Sequence, residues 1–388
     1  MAVTSLSPTR TTSLPSVART SPAGSATRLA WRAVRALTTP LVPEDYVDLV
    51  DPLRSRRYLR ARVVDVTPET ADASTVTLQP GRGWLGHRPG QYIRIGVDID
   101  GVRLWRAYSV TSGPRGDGNI SITVKALTGG VVSAHLQESL RPGQIVQMEQ
   151  ADGAFTWNGG AEPVLFVTGG SGITPVMGML RHRIDAEEAF AADTEHAESA
   201  HDIVVLHSAA HPEDVMFADE LRSLDATGRI RLVERHTQAE GRLEPRELDD
   251  LVPDWRDRTT YACGPAGMLR ALREYADLNG VADHLHTEEF TVELAEPGEG
   301  GALTLHDGSN TLELDVAGDT AILDAAEAAG ALVPSGCRMG ICYGCVLPLR
   351  SGNVRDLRTG EITSGSEGDG VMVQTCISSV AGACEIGR

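Results

Sequence analysis

Between residues 59 and 150 apolar and polar positions alternate in six short runs: ARVVDVTPE, STVTLQP, QYIRIGVDI, RLWRAYSVTS, NISITVKAL and QIVQMEQ. A period of two marks strands with one face in a core. Pro89-Gly90, Gly116-Asp117-Gly118 and Pro142-Gly143 supply turns between runs. So many antiparallel strands in so short a stretch predict a closed barrel, with GGVVSAHLQESL as a short helix before its last strand. After Asn158-Gly159-Gly160 the pattern changes. PVLFVT is unbroken apolar, as in a strand buried on both faces, and DIVVLHS, IRLVERH and TTYACG repeat the type. ITPVMGMLRHRI, ADELRSL and PAGMLRALREYA have helical spacing and fall between them. This alternation predicts a doubly wound parallel α/β domain. Residues 186–200, acidic and Ala-rich, read as a mobile insertion. A third pattern follows the linker EPGEGG. ALTLHDGSNTLELDV predicts a hairpin turning at Asp307-Gly308, and TAILDAAEAAG a helix ending on Gly330. That order fits a small β-grasp domain.

The expected division is an N-terminal extension over 1–57, a barrel over 58–158, an α/β domain over 159–294, a linker over 295–301 and the β-grasp domain over 302–388. Residues 1–40 carry five arginines and no lysine or acidic residue. Their start reads as disordered. In ATRLAWRAVRAL, Arg28, Arg32 and Arg35 share one helical face. That suits peripheral contact with an anionic membrane surface or a partner, and equally an arm packed on the protein's own body. An organellar transit peptide has a similar composition. The formal net charge of -18 argues against a nucleic-acid partner. The longest uncharged run, Pro163 to Leu180, is broken by Gly, Pro, Ser and Thr, so it reads as strand–turn–helix and not as a membrane span. A cytoplasmic location, peripheral at most to the inner face of the membrane, and a monomeric state are expected.

The chain has six cysteines, and three stand in SGCRMGICYGC as C-x4-C-x2-C: Cys337, Cys342 and Cys345. Cys376 follows in VQTCIS. This is plant-type [2Fe–2S] spacing. A short glycine-bearing loop wraps three thiolates around the cluster and a distant strand brings the fourth. Gly340 and Gly344 allow positive φ and leave no side chain in the way. Zinc usually takes paired C-x2-C knuckles, and only one is present. A disulfide framework suits a small secreted domain instead.

Arg106, Tyr108 and Ser109 end the fourth barrel run. A flavin needs a cation for its phosphate, an aromatic face and a hydroxyl near N5, and an extended segment can supply them in turn. An ordinary strand with a surface arginine would read the same. Gly129, Gly130, Val131, Val132 and Ser133 then open a helix, whose free N–H groups suit phosphate. Thr168, Gly169, Gly170, Gly172, Thr174 and Pro175 lie between a buried strand and a helix. This G-x-G-x-x-P turn suits a pyrophosphate without being the usual Rossmann fingerprint, and a plain β–α turn is its alternative. Cys263, Gly264, Pro265 and Met268 end a later strand at the same sheet edge, where ligands bind. Cys263 is placed beside the nicotinamide, or is simply a small buried residue.

Together these motifs resemble the ferredoxin–NADP reductase superfamily, and within it bacterial oxygenase and desaturase reductases with a C-terminal plant-type ferredoxin domain. The resemblance covers residues 59–388. The cluster loop departs from stand-alone plant ferredoxins in its bulky Met339, Ile341 and Tyr343. Glu288-Glu289-Phe290 matches the segment after the nucleotide domain, whose aromatic lies near the flavin in relatives. The resemblance implies a flavin, FAD in preference to FMN, together with NAD(P)H and a [2Fe–2S] cluster. Ser109, Cys263 and Glu288 are the catalytic candidates. Hydride from NAD(P)H would pass to the flavin, and single electrons through the cluster to an acceptor oxygenase. The segment 38–57 resembles the lead-in of reductases serving membrane fatty-acyl desaturases, which makes such a desaturase the expected acceptor. A soluble ring-hydroxylating oxygenase is the alternative partner. A flavin oxidase or quinone reductase and a redox sensor are the alternative functions, against which the complete cysteine set and the intact Arg106 and Gly169–Gly172 sites argue. Coenzyme preference stays open: no arginine stands near Ala209 or Ala210, and Arg235 or His236 is the candidate substitute.

Overall fold

A computed structural model describes residues 50–55, 58–99, 101–113, 115–127, 130–160, 162–193, 202–290, 298–308, 310–336, 338, 340 and 343–387. The chain divides into two units, Met1–Asp51 and Pro52–Arg388. The arginine-bearing helix expected near residues 27–37 lies outside the described residues.

In the second unit the first sheet is antiparallel: β1 (Arg60–Thr70), β2 (Ala73–Pro80), β3 (Tyr92–Ile99), β4 (Val102–Ser109), β5 (Ile120–Lys125) and β6 (Ile145–Met148). Its order is β4-β3-β6-β1-β2-β5. Just beyond β4, Val110 bridges Ile122, and the Thr111 N–H donates to the Ser121 carbonyl at 2.7 Å. That bridge joins the two outer strands and rolls the sheet into the predicted barrel. The alternating apolar positions, among them Val63, Val76, Ile93, Ile95, Ile122 and Met148, fill its core. Each such side chain contributes roughly 1.5–3 kcal/mol on burial. Helix α1 (Val131–Glu138) adds Val132 and Leu136 to the same core.

The second sheet is parallel: β7 (Val164–Gly169), β8 (Ile203–Ala209), β9 (Arg231–His236), β10 (Thr259–Cys263) and β11 (Leu285–Glu288), in the order β11-β10-β7-β8-β9. Strand order reverses between β7 and β10, which places a binding crevice at their carboxyl ends. All of β7 and β8 is buried, as their unbroken apolar runs require. β11, reading LHTE, is a half-buried edge strand too short and polar for periodicity to reveal. Helix α2 (Ile173–Asp193) runs past the expected end. Residues 186–193 are therefore helix, because Glu and Ala favour continuation, and the rest of the expected insertion lies outside the described residues. α3 (Ala218–Ala226) and α4 (Ala266–Leu278) complete this domain's longer helices. α2 also packs on the barrel. A methyl group at Gly178 would stand 2.3 Å from the Val110 carbonyl oxygen. Arg181 donates from Nη1 to the Thr111 carbonyl at 2.8 Å while its Nε holds Glu220 at 2.9 Å.

The third sheet is mixed: β12 (Gly301–Asp307), β13 (Asn310–Val316), β14 (Val346–Asp356), β15 (Ile362–Gly365), β16 (Met372–Gln374) and β17 (Ser378–Gly387). The order is β13-β12-β17-β14-β15, with β16 on β14. The parallel β12–β17 pair at the centre and α5 (Ile322–Ala328) across the sheet make a β-grasp. Gly298 donates to the Gly318 carbonyl at 3.4 Å and Gly300 bridges Ala381, so the last residues of the expected linker pack on this domain.

Candidate functional site

All three domains wall a cavity of about 480 Å3. The barrel contributes Arg106, Tyr108 and Ser109 from β4 and Gly130, Val131, Val132 and Ser133 at the start of α1. The nucleotide domain contributes Thr174, Glu288 and Phe290, and the β-grasp domain Arg338 and Cys376. Among the described residues, three buried polar atoms of this wall have no partner: Ser109 Oγ, Glu288 Oε2 and Arg338 Nε. Such orphans are costly without a ligand. The edge of a flavin ring, carrying donors and acceptors, suits them. Glu288 is half-buried as a residue, but its Oε2 is shut off from solvent. Burial raises its pKa to about 8, so it is largely protonated at neutral pH.

Burial, and then the nearby Arg338, lower the pKa of Arg106. With Lys125 these arginines make three cations lining one cavity, which suits an anionic group such as a phosphate. Burial likewise raises the Tyr108 phenol, which stays neutral. No side chain caps α1 at Gly130, so its first N–H groups stay open to a ligand. The Ser133 hydroxyl does not: it accepts from the Leu127 N–H at 3.1 Å and donates to the Gly130 carbonyl at 3.2 Å. Ser133 thus shapes the turn while lining the cavity.

A second cavity, about 820 Å3, opens at the carboxyl edge of the parallel sheet. Gly169, Gly170, Pro265 and Met268 line it. Gly170 has φ 54° with open space beside its Cα, as a backbone approached by a ligand requires. Gly172 answers to packing: a methyl group there would stand 2.0 Å from the Cys263 carbonyl oxygen. Gly264 packs likewise against Met268 and the Gly169 backbone. Pro175 sits in the first turn of α2, as its sequence position predicts. Thr168 and Cys263 line neither cavity. Thr168 Oγ1 lies 2.8 Å from His207 Nδ1, and the residue is wholly buried. Cys263 is 0% exposed in the domain core, and burial, with Glu288 and Glu289 adding, keeps its thiol protonated. Its alternative reading as a small buried residue is what the structure displays.

Sequence reasoning missed several cations. Lys125 lines both cavities and pairs with Asp72 at 3.1 Å. Arg242 and Arg270 line the larger one beside Ser208, Ala209 and Ala210. Arg235 is otherwise engaged, with Nη1 2.9 Å from Glu247 and Nε donating to the Gly241 carbonyl at 2.9 Å. His236 lies 3.6 Å from Glu234. Arg338, ion-paired with Asp324 and Glu327, reaches the smaller cavity from the cluster loop. No linear motif links these positions; only the chain's folding does.

Cys345 and Cys376 meet in one apolar cluster with Leu323 and Ile377. The Thr375 hydroxyl donates to the Cys345 carbonyl at 2.9 Å, and Val346 pairs with Gln374, which fixes the two segments side by side. Two thiols converging in a nearly dry site fit an iron–sulfur cluster. Cys337 and Cys342 lie outside the described residues. Gly340 has φ 74°, as predicted. Gly344 does not use the left-handed region, whereas Arg338 and Tyr343 do, at 62° and 53°.

A flavin barrel, a nicotinamide-nucleotide domain and a [2Fe–2S] β-grasp domain around one cavity define an electron-transfer reductase. Comparison with known families agrees. Residues 61–157 match the oxidoreductase FAD-binding domain, 166–274 the oxidoreductase NAD-binding domain and 305–381 the 2Fe-2S iron-sulfur cluster binding domain. An NADPH oxidoreductase of Mycobacterium tuberculosis is 43% identical over 366 residues, covering 91% of this chain and 92% of that one. The glycine betaine monooxygenase reductase subunit of Chromohalobacter salexigens is 29% identical, over 81% of this chain and 91% of its own. Phthalate dioxygenase reductase has the same fold, with a TM-score of 0.58 at 20% identity over 87% of this chain and 99% of that one. The chain belongs to the ferredoxin–NADP reductase-type oxidoreductases with a C-terminal 2Fe-2S domain, and its cofactors are FAD, NAD(P)H and [2Fe–2S].

Glu288 makes the pH behaviour testable. Its folded pKa is raised from 4.5 to about 8. Its contribution to stability is therefore fully present below pH 4.5 and is lost as pH rises through about 8. Glu288→Gln keeps the neutral form, so its melting temperature should gain on the wild type as pH rises and level off above pH 8. A difference that does not vary with pH would refute the assignment.

Proposed function

We propose that this chain takes hydride from NADPH and delivers single electrons through its cluster to an oxygenase. The observation that carries the reading is the cavity walled by all three domains, with the candidate cluster ligand Cys376 on the same wall as Arg106, Tyr108 and Ser109. A bound flavin accepts two electrons as hydride and releases them singly, as a one-electron cluster requires. In this reading Arg106 and the start of α1 hold its phosphate, Tyr108 covers the ring face, and Ser109 and protonated Glu288 hydrogen-bond its polar edge. Phe290 closes the nicotinamide side. Gly170, Pro265 and Met268 bind the pyridine nucleotide. Cys337, Cys342, Cys345 and Cys376 ligate the cluster. The proposed limits are 58–158 for the barrel, 159–294 for the nucleotide domain and 302–388 for the cluster domain.

NADPH is proposed over NADH because Arg242 and Arg270 face the cavity where the 2′-phosphate would lie, and the Mycobacterium tuberculosis relative is named an NADPH oxidoreductase. The acceptor is proposed as an oxygenase, since a relative is named a glycine betaine monooxygenase reductase subunit. The finer proposal, a membrane fatty-acyl desaturase reached with help from the arginine-bearing arm, rests on the likeness of residues 38–57 to desaturase reductases.

Three measurements test these readings. Cys376→Ser should lose the visible and electron-paramagnetic signature of the cluster while flavin stays bound; a normal cluster in that variant would refute its assignment. Arg242→Ala should raise KM for NADPH about tenfold and leave NADH little changed, since a charge-assisted contact contributes roughly 1.5–3 kcal/mol. Equal changes with both coenzymes would take Arg242 out of the role. Given NADPH, the purified protein should reduce a diiron desaturase in membranes faster than a soluble ring-hydroxylating oxygenase, and the reverse order would overturn the finer proposal.

A further inference from the structure

One arginine of the barrel reaches across to the cluster loop. Arg94 stands on β3, opposite Ala107 in the ladder with β4, so it is rooted between Arg106 and Tyr108. Its Nη1 donates to Glu149 Oε2 at 2.8 Å and its Nη2 to the Ser335 carbonyl at 3.2 Å. The guanidinium lies over Trp105, 5.5 Å from the ring centroid. Its side chain is 13% exposed, against 44% for Glu149. Gly344 sits against it: a methyl group there would stand 3.3–3.4 Å from the two Nη atoms and 3.3 Å from the Ser335 carbonyl oxygen. One side chain thus meets both arms of the loop, two residues before Cys337 and one before Cys345.

We propose that Arg94 is a positioning residue that latches the cluster loop onto the flavin-bearing barrel and so fixes the gap that electrons cross. The inference rests on the flavin-to-cluster order of the proposed function. Electron transfer slows steeply with distance, so a loop free to drift would slow it. The loop has reason to drift: Arg338 and Tyr343 hold φ values of 62° and 53°, which non-glycine residues avoid unless their surroundings impose them. The latch meets the chain on both sides of that stretch, at Ser335 and Gly344. Glu149 and Trp105 hold the guanidinium in place, so little side-chain entropy is lost when it binds the loop carbonyl. A hydrogen bond from a charged donor is also stronger than one from a neutral donor. Small residues answer it on the loop side, because any side chain at Gly344 would press on the guanidinium.

The test uses the full chain carrying both cofactors, with Arg94→Met, which keeps bulk and removes the charged fork, and Glu149→Gln, which loosens the guanidinium without touching the loop. Hydrogen exchange over residues 333–347 is the first readout, and the separate bleaching of flavin and cluster after mixing with NADPH is the second. Arg94→Met should exchange faster in that segment by about tenfold and bleach its cluster about tenfold more slowly, while flavin bleaching stays near wild type, as loss of one charge-assisted bond implies. Glu149→Gln should shift the same two readouts in the same direction by less. Wild-type exchange and wild-type cluster bleaching in Arg94→Met would overturn the proposal. If Arg94→Met fails to hold iron, Glu149→Gln decides: faster exchange in the loop supports the latch and unchanged exchange overturns it. Should the wild-type cluster not bleach with NADPH, the proposed electron order fails, while the exchange readout still judges the latch.

Discussion

The close seating of α2 on the barrel is the constraint from which the site follows. Gly178 is the hinge of that contact, since any side chain there would run into the Val110 carbonyl. Val110 is also the residue whose bridge to Ile122 closes the barrel. Barrel closure and domain docking therefore share one short segment. Arg181 reinforces it by holding the neighbouring Thr111 carbonyl and Glu220 together. With α2 fixed there, the turn before it opens on the larger cavity through Gly170, and Thr174 in its first turn reaches the smaller one.

The smaller cavity brings together charges that burial would otherwise disfavour. Arg106 and Arg338 come from different domains, and burial, with Arg338 adding, lowers the pKa of Arg106. Asp324 and Glu327 balance Arg338 from α5. Glu288 pairs with no cation among the described residues and answers burial by taking a proton. A neutral carboxyl and an unpaired hydroxyl beside two arginines make a wall with both donors and acceptors. The larger cavity differs: Lys125, Arg242 and Arg270 line it together with Asp214 and Glu244.

Glycines separate what a motif suggests from what a fold requires. Gly169–Gly172 reads as a phosphate turn, yet only part of it faces the cavity, because Gly172 is needed where β7's turn meets the end of β10. Gly344 reads as a residue for positive φ, yet it is the neighbouring Tyr343 that adopts it, and Gly344 makes room for Arg94. In both places the residue type was right and the reason was tertiary.

Much of this protein was legible in its sequence. Period-two runs gave the barrel strands, unbroken apolar runs the parallel sheet, and the cysteine spacing the cluster loop, because each pattern reports a local geometry that its own residues impose. Arg106, Tyr108 and Ser109 line one cavity because they are neighbours on one strand. What the sequence did not disclose depends on groups far apart in the chain. The short polar strand β11 is a strand only because β10 offers it a ladder. Cys263 looks like a site residue until Gly172 closes over its carbonyl and the core surrounds its thiol. The cations that line the cavities, Lys125, Arg242, Arg270 and Arg338, carry no motif, and Arg94 reaches the cluster loop from 241 residues away. Local sequence determines strands, turns and ligand spacing through short-range sterics and periodicity. Which charges face one another, and which polar atoms are left without partners, is decided only when three domains close on a common cavity.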